Sequence, residues 1–102
     1  MLAAVVTAHR DSPQVRSVPA PTPGADEVLV QVTAASVTPL DILCASGTSY
    51  FGPPALPYVP GVQGVGVVRQ GPTGWAGRRV WFPTSAGMAP GDGSFAEYAV
   101  AP

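Results

Sequence analysis

The chain has 102 residues, about the size of one domain. Its five arginines and six acidic residues give a net charge of −1 with no cluster of either sign, which excludes the basic surface of a nucleic-acid-binding protein and the polybasic segment of a membrane-surface protein. Charged residues make up only 11% of the chain, against about 25% in ordinary domains, so we expect a partner domain or another subunit to cover part of its surface.

The first third of the chain predicts three strands and an extended linker. Met1–Ala8 is an apolar, β-branched run that is too short to span a membrane and lacks the basic leader of a signal peptide. Val15–Val18 reads as a second strand. Three of the six residues in Pro19–Gly24 lack an amide hydrogen, which favours a linker over a central strand. Glu27–Thr33 alternates regularly and predicts the third strand.

A short helix is predicted next, over Pro39–Ala45. Thr38 is a suitable N-cap, and Pro39 stands at the first helical position. Asp41, at the third position, resembles the reciprocal partner of a capping box and favours the positive end of the helix dipole. Ser46-Gly47 is expected to end the helix.

The rest of the chain predicts further short strands between turns. Four prolines make Thr48–Pro60 an irregular loop. The predicted elements after it are strands at Gly61–Arg69, Arg78–Phe82 and Ser94–Val100, a turn at Gly71–Gly74 and a loop at Pro83–Gly93. No repeat or linker divides the chain, so residues 1–102 are expected to form one mainly β domain, a sandwich or small barrel.

Three segments carry a resemblance to a known family. They are Ala34–Asp41 followed by Ser46-Gly47, then Leu56–Val68, then Gly77–Trp81 with Gly93–Val100. In this order they resemble the medium-chain dehydrogenase/reductases, whose N-terminal catalytic lobe is a GroES-like, twisted and partly open β-barrel with one or two short helices. The resemblance implies a nicotinamide cofactor, NADPH or NADH, and a homodimer in the full enzyme.

The same resemblance implies a second domain that these residues lack. A nucleotide-binding domain is built from strand–helix–strand units, and no stretch of the sequence has that alternation. We therefore expect this chain to be the substrate-binding lobe of an oxidoreductase that reduces quinones or activated carbonyls, a small-molecule acceptor, and to be inactive by itself. The lone cysteine, Cys44, excludes an intrachain disulfide and fits a reducing compartment, so a cytoplasmic location is expected.

Departures from the family pattern indicate the zinc-free, quinone oxidoreductase-like branch. Zinc alcohol dehydrogenases have Cys where Thr38 stands and a His-Glu pair where Val62-Gln63 stands. Zinc requires three N, S or carboxylate ligands, which Thr and Val cannot supply, so no metal ligand is expected. Cys44 lies six residues after Thr38 and is not in register to replace the missing ligand.

The resemblance assigns a few residues to the site. Thr38, Leu43, Tyr50 and Gln63 are expected near the substrate, and Thr38 and Pro39 near the cofactor; no catalytic residue is assigned. Thr38 could instead serve as the N-cap alone. Tyr50 could form a loop-anchoring aromatic pair with Phe51.

Several residues have a plainer interpretation beside a functional one. Cys44 is read as a small buried hydrophobe or a reactive thiol, and His9 as a solvated surface residue. The glycines of Gly61–Gly66 are not read as a phosphate loop, because no helix follows them. Gly64 and Gly66 would leave one strand face flat, for backbone or for a cofactor ring to pack against.

Two other functions are consistent with parts of the sequence. One is a GroES-like binding or structural module without catalysis, such as a chaperonin partner. The dehydrogenase-like Thr38–Asp41 segment argues against it. The other is the lobe of a zinc-dependent alcohol dehydrogenase, which stoichiometric zinc would support.

Overall fold

The computed structural model describes residues 1–89 and 91–102 as a mainly β chain with one described helix. The elements in chain order are β1 (Leu2–Val5), β2 (Gln14–Ser17), β3 (Val28–Ala34), α1 (Pro39–Ser46), β4 (Gln63–Gln70), β5 (Arg79–Pro83) and β6 (Tyr98–Ala101). The predicted fold class is confirmed, and each predicted element has a counterpart whose ends differ by a few residues.

The strands form two antiparallel sheets. β1 pairs with β2, and the larger sheet has the order β5-β4-β3-β6, so its edges are β5 and β6 and it does not close on itself. Val30 in β3 lies opposite Val68 in β4 and Ala99 in β6, and Val65 in β4 lies opposite Trp81 in β5. This open arrangement agrees with the partly open fold that the family resemblance implies.

The main core lies against the larger sheet. Alternation along the strands brings together buried side chains from all four of them: Val28, Val30, Val68, Phe82, Ala99 and Ala101. Burying each valine contributes roughly 1.5–3 kcal/mol. Two smaller clusters join the first strand to the long loop before β4 and to residues after β5. The second cluster consists of Ala3, Val5 and Val59, and the third of Val6, Tyr58 and Ala86.

The first strand is shorter than predicted. β1 ends at Val5, and Val6 forms an isolated antiparallel bridge with Tyr58 instead of continuing the pairing with β2. The chain then turns, with Arg10 in the left-handed region at φ 68°. Val6 is apolar because it packs with Tyr58 and Ala86 in the third core cluster. The apolar run in the sequence therefore continues past the end of the strand.

The last strand begins later than predicted. Ser94 is buried, and its backbone N–H donates to Gly61 O at 3.1 Å while its Oγ donates to Gln63 O at 2.6 Å. Pairing with β3 begins only at Tyr98. The preceding predicted loop, Pro83–Gly93, includes Pro90, which lies outside the described residues.

Candidate functional site

The start of α1 is held by a complete capping box. The Asp41 backbone N–H donates to Thr38 Oγ1 at 3.3 Å, and the Thr38 backbone N–H donates to Asp41 Oδ2 at 2.8 Å. Pro39 occupies the first helical position, and Gly47 ends the helix with φ 77°. The predicted cap, first turn and helix end are therefore confirmed.

Asp41 also joins the helix to the start of β4. Its Oδ1 accepts the backbone N–H of Val62 at 2.9 Å, and the side chain is only 4% exposed. Val62 immediately precedes Gln63, the first residue of β4. One carboxylate thus sets the position of Thr38 on one element and of Gln63 on another.

The hydroxyl of Thr38 is engaged in a way that limits what else it can bind. Its O–H donates to Asp41 Oδ2 at 3.0 Å, and one lone pair accepts the Asp41 backbone N–H. A hydroxyl has one hydrogen and two lone pairs, so a single acceptor position remains. Thr38 can accept from an amide N–H, such as that of a nicotinamide carboxamide, but its hydrogen is already used and cannot also serve a substrate carbonyl.

An exposed apolar surface surrounds this helix start. Val37, Ile42 and Leu43 are 69%, 62% and 45% exposed, and Pro39 is exposed as well. Pro39, Ile42 and Leu43 stand at i, i+3 and i+4 and so share one face of α1. An exposed apolar face of this kind marks a ligand or partner surface. Leu43 is thus on the surface, as a substrate-facing role requires.

Gln63 is held by two side chains that the sequence did not point to. Its Nε2 donates to Ser36 Oγ at 2.8 Å, and its Oε1 accepts from the indole Nε1 of Trp81 at 3.3 Å. The three side chains line a groove of about 310 Å³ on the outer face of the sheet. The pairing of β4 with β5, with Val65 opposite Trp81, brings Trp81 beside Gln63, and the pairing of β3 with β4 brings in Ser36, which follows β3. Neither long-range pairing has a local signal in the sequence.

Tyr50 stands apart from the other predicted residues. Its side chain is 98% exposed, and its ring makes an edge-to-face contact with Phe51, with centroids 5.6 Å apart. Phe51 is itself 54% exposed, so the pair does not anchor the loop in the core. The structure joins Thr38 to Gln63 through Asp41 and Val62, whereas Tyr50 has no hydrogen bond to either within the described residues.

The glycines of β4 serve close packing inside the domain. A Cβ on Gly66 would collide with the backbone oxygen of Gln31 and lie 2.7 Å from Cγ1 of Val30. A Cβ on Gly64 would lie 2.9 Å from Cβ of Ser94 and 3.0 Å from the Phe82 ring. Both glycines are buried by the chain itself. Of the two neighbours predicted for this face, backbone or a cofactor ring, atoms of the chain occupy the space.

Buried polar groups lie behind the helix. Cys44 is 1% exposed and free, which fits the small buried hydrophobe. Tyr58 is 5% exposed, and its Oη has no hydrogen-bond partner in the described chain. Burial, followed by the nearby Cys44 and Asp41, raises the pKa of Tyr58 to about 12.

The solvated role predicted for His9 is wrong. The residue is half-buried, and its Nδ1 is buried without a hydrogen-bond partner among the described residues. Its ring packs against Gly47, where an added Cβ would lie 3.2 Å from Cγ of His9. The turn after β1 therefore folds the imidazole onto the end of α1 instead of into solvent.

Across residues 1–89 and 91–102, no group of three or more His, Cys, Asp or Glu side chains is placed to hold a metal ion. In the same residues, no helix has the length and apolar character needed to cross a membrane.

Solved structures share this fold with high similarity. The quinone oxidoreductase from Thermus thermophilus, whose structure was also determined with NADPH, superposes with a TM-score of 0.82 at 25% identity, covering 100% of this chain and 30% of that one. A probable oxidoreductase from Mycobacterium abscessus superposes with a TM-score of 0.85 at 28% identity, over 99% of this chain and 32% of that one.

Sequence comparison points the same way. An alcohol dehydrogenase of Moraxella sp. (strain TAE123) is 37% identical over 68 residues, which are 67% of this chain and 20% of the Moraxella enzyme. The zinc-type alcohol dehydrogenase-like protein of Schizosaccharomyces pombe is 32% identical over 90 residues, 87% of this chain and 27% of that protein. The chain thus spans about a fifth to a third of the proteins it matches. Residues 24–102 match the alcohol dehydrogenase GroES-like domain, and the chain belongs to that domain family.

Proposed function

We propose that the chain is the substrate-binding lobe of a zinc-independent, NAD(P)H-dependent oxidoreductase that reduces quinones or activated carbonyls. The observation that carries the proposal is the Asp41 carboxylate, which holds the capped start of α1 against the start of β4. This arrangement presents Thr38 beside an exposed apolar surface. An apolar wall with a few fixed polar groups suits a conjugated, weakly polar acceptor.

The residues of this lobe bind and shield, while the bound nicotinamide supplies the hydride. Thr38 Oγ1 has one free lone pair and fits the carboxamide N–H of a nicotinamide as its acceptor. Pro39 lies next to it on the exposed first turn. Leu43 and Val37 supply apolar area that excludes water from the reacting carbonyl. Tyr50 would approach the substrate from the exposed loop before β4.

Independence of zinc is supported by what occupies the ligand positions. Thr38 and Val62 stand where the zinc-dependent members have Cys and His, and neither side chain is a zinc ligand of the usual kind. The nearby carboxylate, Asp41, already accepts three hydrogen bonds from the chain itself. We propose this despite the similarity to a zinc-type protein of S. pombe. Elemental analysis of the purified protein with one zinc per chain would overturn this part.

The nucleotide-binding part belongs to the proposal as a separate domain. The chain spans 30% of the Thermus quinone oxidoreductase, so the remaining length of such an enzyme is ample for it. We infer that these 102 residues do not turn over alone and that the complete enzyme works in the cytoplasm, with a homodimer as the expected assembly.

A domain exchange tests the proposal. These 102 residues would replace the superposing N-terminal region of the Thermus enzyme, and NADPH oxidation at 340 nm would be followed with a quinone added or omitted. We expect quinone-dependent oxidation by the chimera and none by the isolated chain. A Leu43→Gln chimera should bind NADPH normally yet lose about tenfold in kcat/KM for the quinone, because a polar group replaces apolar area in the substrate wall.

Two results would overturn parts of the proposal. A folded chimera that binds NADPH but reduces neither quinones nor aryl ketones would overturn the proposed activity. Robust turnover by the isolated chain would overturn the requirement for a second domain. A Ser12→Ala chimera, changed at an exposed residue outside the proposed site, is the matched control and should keep full activity.

A further inference from the structure

We propose that the groove between Ser36, Gln63 and Trp81 is a binding site for an aryl ketone or quinone, with Ser36 Oγ–H as the hydrogen-bond donor to the ligand's carbonyl oxygen. The proposed function supplies the class of ligand, and the site itself rests on the three side chains that line the groove.

The direction of hydrogen bonding in this group follows from Trp81. An indole N–H can only donate, so the Gln63 atom facing it must be the amide oxygen. The amide nitrogen therefore faces Ser36 and donates to its Oγ at 2.8 Å. Ser36 is thereby an acceptor toward Gln63, and its own hydrogen is directed elsewhere.

That hydrogen has no acceptor among the described residues, in contrast to Thr38, whose hydroxyl hydrogen is taken by Asp41. Ser36 is exposed at the groove and two residues before Thr38 in the same connection from β3 to α1. A ligand's carbonyl oxygen can accept this hydrogen in place of the solvent to which an exposed hydroxyl otherwise donates.

The remaining walls suit an aromatic ring. The Trp81 indole is 62% exposed and Val65, opposite it on β4, is 40% exposed, so both present apolar area beside the hydroxyl. Stacking on an exposed indole favours flat, conjugated molecules. A volume of about 310 Å³ accommodates a single substituted ring.

A pair of matched probes tests the site: acetophenone, and ethylbenzene, which keeps the ring and lacks the oxygen. Binding is followed in ¹H–¹⁵N spectra of the 102-residue chain through the Trp81 indole N–H, which a Trp75→Phe variant assigns because the chain has two tryptophans. We expect acetophenone to shift this resonance saturably and ethylbenzene to bind several-fold more weakly.

Ser36→Ala should weaken acetophenone binding about three- to tenfold, the value of one hydrogen bond, and leave ethylbenzene unchanged. Ser12→Ala is the control. Equal binding of acetophenone by wild type and Ser36→Ala, or an unmoved Trp81 resonance, would overturn the site. If the binding test fails but the chimera is active, the proposed function stands and only the site is overturned. If acetophenone binds as expected but the chimera is inactive, the site stands and the proposed function is overturned.

Discussion

The carboxylate of Asp41 accepts the backbone N–H of Val62 at 2.9 Å across 21 residues of sequence. The same carboxylate closes the capping box with Thr38, whose backbone N–H and hydroxyl both donate to it. This buried side chain therefore links the start of α1 to the start of β4. Because both elements carry predicted site residues, the geometry of the site depends on this one side chain.

Replacing Asp41 should therefore cost more than an ordinary helix cap. Asp41→Ala removes three accepted hydrogen bonds and leaves the Val62 N–H without its partner, so we expect a loss of about 2–4 kcal/mol in the free energy of unfolding. Urea denaturation measures it. Thr38→Ser keeps the capping hydroxyl and should lose less than about 1 kcal/mol. A loss in Asp41→Ala as small as that of Thr38→Ser would contradict the linking role of the carboxylate.

The close approach of β3 to β4 depends on Gly66. A Cβ there would collide with the Gln31 backbone oxygen, which the sheet hydrogen bonds hold in place, so Gly66→Ala should destabilise by at least about 2 kcal/mol. Gly24→Ala is the matched control, because its new methyl would meet only the flexible end of Glu27. Thermal unfolding of the two variants side by side decides this, and a Gly66→Ala protein as stable as wild type would contradict the packing described.

Local chemistry explains why some features were predictable from the sequence. The capping box over Thr38–Asp41 needs only neighbouring residues and has the predicted form. β3 is a strand as predicted, but burial along it does not alternate, since Val28, Leu29 and Val30 are all buried. Long-range pairing was not accessible: the Asp41–Val62 bond spans 21 residues, and the Trp81–Gln63 bond requires the register of two strands. The imidazole of His9 was misplaced for the same reason, since its neighbour Gly47 comes from the far end of α1. Ser36 carried no local signal, because an isolated serine after a strand is common in any loop.

Burial of Cys44 predicts slow reaction with thiol reagents. At 1% exposure the sulfur is reached only when the domain opens, so 5,5′-dithiobis(2-nitrobenzoate) should label it at least about 100-fold more slowly in the native protein than in 6 M guanidinium. The matched measurement is an exposed cysteine introduced by Ser12→Cys together with Cys44→Ala, which should react at the unfolded rate under native conditions. Rapid native labelling of Cys44 would instead support the reactive-thiol interpretation.

Tyr58 predicts a distinct alkaline dependence of stability. Burial raises its pKa in the folded protein from 10.0 to about 12, with smaller contributions from Cys44 and Asp41. Below pH 10 the phenol is protonated in both states, so its contribution to folding is fully present. Between pH 10 and about 12 the unfolded chain ionises and the folded one does not, and stability falls across that window.

Absorbance at 295 nm should resolve one of the three tyrosines titrating near pH 12. Tyr58→Phe should remove that step and flatten the loss of stability above pH 10. Because the Oη is buried without a partner in the described chain, the variant should also be at least as stable as wild type at pH 8. Tyr50→Phe, changed at a 98% exposed ring, should preserve both the step near pH 12 and the alkaline loss of stability. A Tyr58→Phe protein markedly less stable than wild type at pH 8 would mean that the hydroxyl has a hydrogen-bond partner in the folded protein.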